Sequence, residues 1–201
     1  MSRAFYRLAT LLAAPGFAIA FAMIAVSGPA PRLLWNSSAS APVGLYLVHV
    51  GARARRGAFV AVMPPPRLAA FMVRRRYLGE NVPLLKRVAA TAGARVCNAQ
   101  GIISINGIAR SIAHARDREG RALPGWVGCR TLERGELFLL NAPADSFDSR
   151  YFGPLSSRTV IGIATPILTR AAPDAPWRWR RDATAQTDEE KNRCISVNSA
   201  R

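Results

Sequence analysis

Acidic residues are scarce in this chain. Among 201 residues, 12 Asp and Glu face 28 Lys and Arg, a formal charge of +16. The imbalance points to a negative neighbour, either nucleic acid or an anionic membrane surface, and does not choose between them. Histidine is scarcer still, with only His49 and His114. Cysteine stops at Cys97, Cys129 and Cys194, with no CxxC pair. A zinc centre needs clustered ligands at short spacings, so none is expected, and metal-assisted hydrolysis is excluded with it. A serine–histidine–acid triad fares little better. His49 lies inside LYLVHV and His114 in a polar stretch, and neither context is built to orient a base. Both are expected to be structural.

What remains is substantial. Half of the residues are hydrophobic, enough for one packed domain with a short segment at each end. One stretch, residues 8–26 (LATLLAAPGFAIAFAMIAV), carries no charge and follows Arg3 and Arg7. About 20 apolar residues cross a bilayer core, so a single N-terminal transmembrane helix within residues 1–28 is expected. Its basic flank places the N-terminus in the cytoplasm and the remainder on the exported side. A cleaved signal peptide ending near residues 25–27 is the alternative. In an exported domain Cys97 and Cys129 are the expected disulfide, since Cys194 lies in a polar tail; three free or buried thiols are the other reading.

From residue 36 to about 170 the texture is mainly β. LYLVHV and AFVAV read as strands, and the Met63-Pro64-Pro65-Pro66 run stops the second. Residues 67–77 form a short amphipathic helix with a basic face, whose apolar residues 68–73 are expected to dip into lipid. LLKRVAA (84–90) is a buried strand followed by a turn at Gly93. IISINGI (102–108) holds the Asn-Gly pair of a tight hairpin. Residues 109–125 are polar and read as a surface excursion. ELFLL and the run from Thr159 are the last strands. Residues 171–201 read as a mobile basic tail in which Trp177 and Trp179, beside arginines, suit a membrane interface.

With histidine and metal set aside, a serine activated by lysine remains. An exposed lysine, with a pKa of about 10.4, is nearly all charged at neutral pH, so a lysine base must be desolvated. Lysines are few, and Lys86 is flanked by Leu84, Leu85, Val88 and Ala89. On a strand, Lys86 and Val88 share one face while Arg87 points away. A snorkelling surface lysine is the plainer alternative. Two polar stretches accompany it. NSSASAPVGLY (36–46) sets three serines ahead of a rigid bend expected at Pro42 and Gly44, and DSFDSRYFG (145–153) crowds hydrogen-bonding groups into an apolar region. There Ser146 can hold the lysine amine, and Asp148 with Arg150 can brace the loop.

The three stretches, in this order and behind an apolar N-terminus, resemble the type I signal peptidase family of serine-lysine endopeptidases. The resemblance is nearest to its conjugal-transfer branch, the TraF-type pilin-maturing peptidases. It covers about residues 5–168 and implies a signal-peptidase-like antiparallel β domain over 36–170, with a cysteine-containing excursion inserted at 97–135. It implies Ser40 as nucleophile, Lys86 as general base and Ser146 as the hydroxyl that holds the lysine. Asp148 and Arg150 become the bracing pair, and Ser38 helps the oxyanion hole alongside the Ser40 amide. Methionine usually follows the nucleophile in signal peptidases; Ala41 stands here, which keeps Ser38 open as an alternative nucleophile. No metal or organic cofactor is implied.

The implied protein is an endopeptidase of the bacterial inner membrane, single-pass, its catalytic domain facing the periplasm. Its partners are a precursor protein, a pilin subunit cut after small residues, and membrane lipid. Nucleic acid is not expected, because an export segment occupies the N-terminus. Rival readings are a nucleic-acid-binding or non-catalytic component of a transfer apparatus. A self-cleaving repressor would need a helix-turn-helix where the apolar run lies.

Overall fold

The computed structural model describes residues 3–27, 32–172 and 174–179. Most of the expected tail, 171–201, lies outside the described residues. The chain divides into two compact units, Met1–Pro31 and Arg32–Arg201.

The first unit holds one helix, α1 (Arg3–Ser27), with Pro15 inside it. Among the described residues no helix is long and apolar enough to cross a membrane, and several α1 side chains lie outside those residues. The crossing expected over residues 8–26 therefore rests on the sequence alone.

The second unit is mainly β. Its elements are β1 (Leu33–Asn36), β2 (Val43–Val50), β3 (Phe59–Val62), α2 (Pro66–Arg74), β4 (Leu84–Thr91), β5 (Arg95–Ala99), β6 (Ile102–Ile105) and β7 (Ile108–Ile112). There follow β8 (Gly128–Thr131), β9 (Glu136–Leu139), α3 (Ser149–Phe152), β10 (Leu155–Ser156), β11 (Val160–Arg170) and β12 (Arg178–Trp179). The larger sheet runs β1-β2-β11-β3-β4-β9-β10 with β12 on β11, and the smaller runs β7-β6-β5-β8. All of these ladders are antiparallel.

Alternation along the strands distributes the apolar side chains between separate cores. Val60, Val62, Leu84 and Val88 enter one cluster with Met72, Leu139, Phe147 and Tyr151. Ala61 and Leu85, out of phase by one residue, enter another with Leu34, Tyr46 and Val48. Each fully buried aliphatic of this size contributes about 1.5–3 kcal/mol. The smaller sheet closes over a third cluster of Val96, Ile103, Ile105, Leu132 and Phe138.

Several elements depart from expectation. β1 lies in what reads as a junction, its four residues too few to show a period. β8 (GCRT) is exposed throughout and carries no apolar signal. The DSR segment folds into the short helix α3, with Asp148 as its N-cap. Residues 68–73 do not form a free lipid-facing surface: Met72 is buried, and Leu68 and Phe71 pack on the first core. Gly44 sits inside β2 rather than at a bend. Its φ is 144°, and a Cβ there would lie 2.1 Å from the Leu168 carbonyl oxygen, so β2 meets β11 this closely only with glycine. The Asn106-Gly107 hairpin forms, with positive φ at both residues.

Candidate active site

β1 and β2 pair with Asn36 opposite Gly44, and the loop between them carries the serines. Within it the Ala41 N–H donates to the Ser38 carbonyl at 3.5 Å, making a turn with Ser40 near its apex. Ser38 Oγ donates to Ser40 Oγ at 3.0 Å and accepts from the Ser40 N–H at 3.2 Å. The two donors expected to meet an oxyanion are thus engaged with the serine pair itself. Ser40 Oγ, accepting here, keeps its own hydrogen for another partner. The loop is fastened from below by Asn36, which is buried, and by Tyr46 Oη, which donates to the Pro42 carbonyl at 2.7 Å.

Lys86 is the middle of a buried run on β4. It stands between Leu84 and Val88, on the face that looks into the first core, and is 4% exposed. Arg87 turns to the opposite face, its guanidinium 4.5 Å over the Phe59 ring. Lys86 Nζ donates to Ser146 Oγ at 2.9 Å. Burial lowers its pKa from 10.5 to about 8; Asp148 and Asp145 pull it back up and Arg150 pushes it further down. A shift of that size corresponds to roughly 3 kcal/mol against the charged form. The amine is therefore about half neutral near pH 8 and mostly neutral above it.

Behind Ser146 stands a wholly buried ion pair. Arg150 Nε donates to Asp148 Oδ1 at 2.8 Å and a second guanidinium nitrogen to Asp148 Oδ2 at 2.9 Å. Two further guanidinium hydrogens go to the carbonyls of Ala144, at 2.8 Å, and Asn141, at 2.7 Å. Asn141 ties this assembly to the lysine strand: its Oδ1 accepts from the Arg87 N–H at 2.9 Å and its Nδ2 donates to the Leu85 carbonyl at 3.2 Å. Lys86 is therefore gripped through the backbone on both sides.

Ser38, Ser40, Lys86 and Ser146 all line one cleft of about 990 Å³. Its lysine comes from the middle of the large sheet and its serine loop from the β1 edge, while the supposed surface excursion supplies a third wall. Residues His114, Arg116, Asp117, Arg118 and Glu119 all line the cleft. That arm is anchored rather than free. Asp117 accepts from Tyr77 Oη, from Arg121 Nε at 2.7 Å and from the Arg121 N–H at 2.8 Å. Although burial alone would raise its pKa, those hydrogen bonds hold the Asp117 carboxyl well below the usual range. Arg118 pairs with Asp145, next to Ser146. Cys97 and Cys129 face each other on β5 and β8 and are joined by a disulfide. Trp126 Nε1, three residues before Cys129, donates to the Ser149 carbonyl at 3.0 Å.

Among the described residues no Cys, His, Asp and Glu group could hold a metal ion. His49 is exposed on β2 and outside the cleft; the His114 N–H donates to Tyr151 Oη at 3.1 Å. Sequence reasoning missed Asn36 and Asn141. Asn36 opens the quoted serine stretch and Asn141 lies just ahead of DSFDSRYFG, but nothing in a linear sequence separates a buried asparagine from one that merely opens a turn.

Comparison with known proteins gives the family. The family described as signal peptidase, peptidase S26, matches residues 5–169. A conjugal transfer protein TraF of Agrobacterium fabrum is 36% identical over 144 residues, covering 67% of this chain and 81% of its own length. A plasmid transfer protein TraF of Escherichia coli is 32% identical over 181 residues, covering 84% and 99%. A solved signal peptidase I of Enterococcus faecalis V583 aligns over 57% of this chain and 100% of its own, at 21% identity and a TM-score of 0.35. By the extent of the family match, this chain belongs to the peptidase S26 signal peptidase family.

Proposed function

We propose that the chain is a serine endopeptidase with Ser40 as nucleophile and Lys86 as general base, which matures an exported precursor by cutting after small residues. The observation that carries this reading is Lys86: a buried lysine with its pKa lowered to about 8, tethered to Ser146 in the cleft that also holds Ser40. The precursor is a pilin subunit, a reading supported by relatives named as conjugal and plasmid transfer proteins.

Neutral Lys86 takes the Ser40 proton as Ser40 Oγ attacks the scissile carbonyl. Ser38 and the Ser40 amide part from each other and turn their donors to the oxyanion. The intermediate collapses to an acyl-enzyme, and the Lys86 ammonium passes its proton to the leaving amine. Lys86 then deprotonates the second nucleophile. Water releases a linear product; the precursor's own N-terminal amine releases a circular one.

The enzyme works at the exported face of the inner membrane, with residues 8–26 as its anchor. Leu33, Trp35, Trp177 and Trp179, all exposed, suit an interface. The arginine excess suits anionic lipid.

The test is co-expression with a candidate pilin precursor, followed by mass spectrometry, for wild type, Ser40→Ala and Lys86→Ala. Trimming by wild type alone is the expected result, and a product one water lighter than the linear form marks cyclisation. Equal processing by all three refutes the serine-lysine assignment; if Ser40→Ala still processes, Ser38→Ala is added, and its failure to process moves the nucleophile to Ser38.

A further inference from the structure

The serine loop spans residues 37–42, between the paired Asn36 and Gly44. A loop of this length on an edge strand is ordinarily free to move, and its own turn is closed by a single long hydrogen bond of 3.5 Å. What occupies its interior is the Asn36 side chain. Nδ2 donates to the carbonyls of Ser38 at 2.8 Å, Ala41 at 3.1 Å and Pro42 at 3.0 Å. Oδ1 accepts from the Ser38 N–H at 3.1 Å. Two amide hydrogens serving three carbonyls require one shared, three-centre bond. The orientation of the amide is unambiguous, because a flipped group would set an oxygen against three carbonyl oxygens.

One buried side chain thus binds the backbone before and after Ser40 and leaves the serine itself untouched. We propose that Asn36 is a positioning residue that holds Ser40 at the turn apex, facing the cleft. This rests on the serine-lysine reading above. No other side chain type substitutes for it. Aspartate matches its size but has no donor and turns a negative charge on three carbonyls. Glutamine would overfill the loop. Leucine or alanine takes one partner from each of those carbonyls and from the Ser38 N–H, leaving the Ser38 carbonyl only its long bond from the Ala41 N–H and the Pro42 carbonyl only Tyr46 Oη. A nucleophile displaced by about 1 Å loses on the order of 100-fold in rate, so the effect reaches catalysis through geometry alone.

The experiment compares full-length wild type, Asn36→Asp, Asn36→Ala and Ser40→Ala, purified in detergent, on a quenched peptide spanning the junction that wild type cuts in the precursor. It is read alongside amide hydrogen exchange. Both Asn36 variants are expected to lower kcat about 100-fold while KM stays within about threefold. Exchange should quicken in residues 37–42 and stay unchanged in residues 84–91. The inference is overturned if kcat stays within about threefold of wild type, or if exchange quickens equally at 84–91, which marks general unfolding. Asn36→Ala guards against a folding failure peculiar to the aspartate charge. If Ser40→Ala also cleaves like wild type, the serine-lysine reading falls, and this inference with it; if Ser40→Ala is inert and both Asn36 variants are fully active, only this inference falls.

Discussion

The two halves of the cleft are held in opposite ways. Ser40 rides on a partly exposed hairpin loop whose restraints all come from within eleven residues, Asn36 to Tyr46. Lys86 is fixed by groups far away in the chain: Ser146 lies 60 positions on, and Asn141 reaches Leu85 across 56. Local restraint suits a nucleophile that must exchange partners during a reaction. Long-range burial suits a base whose value is a lowered pKa, since desolvation needs walls from several elements at once.

The sharpest way to break this contrast is to remove the proposed base. Lys86→Met should cut the rate of precursor cleavage by about 10⁴-fold with the fold retained, as judged by circular dichroism. Wild-type activity should rise with pH and level off above about 8, where Lys86 is neutral. A flat profile from pH 6 to 9 would mean that Lys86 does not carry the proton.

Next comes the brace. Arg150→Met leaves the Asp148 carboxylate buried without its partner and frees the carbonyls of Ala144 and Asn141. Breaking such a pair costs about 3–5 kcal/mol, readable as a lowered midpoint in urea. A loss below about 1 kcal/mol would show that the lysine half does not depend on its distant supports.

How far the sequence discloses each half follows from the same contrast. Lys86 is legible because a lone lysine between Leu84 and Val88 breaks an apolar alternation, and alternation is a local signal. Its tie to Ser146 is legible through family resemblance, since nothing local joins residues 60 apart. The strands β2, β3, β4, β9 and β11 are readable for the same reason as Lys86. β8 is not, because none of its residues is buried. The excursion at 109–125 looks like surface because it is polar; its polarity serves Asp117, Tyr77 and Arg121, a cluster that exists only after folding. Pro42 and Gly44 look like the devices that stiffen the serine loop, yet Gly44 serves the β2–β11 contact and the stiffening comes from Asn36.

A smaller effect sharpens the lysine side by its sign. The folded pKa of Lys86 lies below its ordinary value, so the native state sheds this proton first as pH rises. Between about 8 and 10.5 the unfolded chain binds more protons than the folded one, and stability gains with pH. The full gain, about 3 kcal/mol, is present above that window and is lost as pH falls through about 8. Urea melts from pH 7.5 to 10.5 should show the rise in wild type and not in Lys86→Met. Parallel curves for the two would place the effect in other groups.

The smallest effect belongs to the serine half and tests whether its local bonds are made to be exchanged. Ser38 Oγ accepts from the Ser40 N–H and donates to Ser40 Oγ in the resting site. Ser38→Ala removes an acceptor that restrains the Ser40 amide and a donor that the oxyanion would use. The first change frees the amide for the transition state; the second deprives that state of a hydrogen bond. Removing an oxyanion donor alone costs on the order of 100-fold or more in kcat, so the partial offset leaves a fall of about 10- to 100-fold with KM little changed. Ser38→Thr keeps both the hydroxyl and its exchange and should recover most of the rate. Equal losses in Ser38→Ala and Ser38→Thr would mean that packing of the loop matters rather than the hydroxyl, and the serine half would then be as rigidly built as the lysine half.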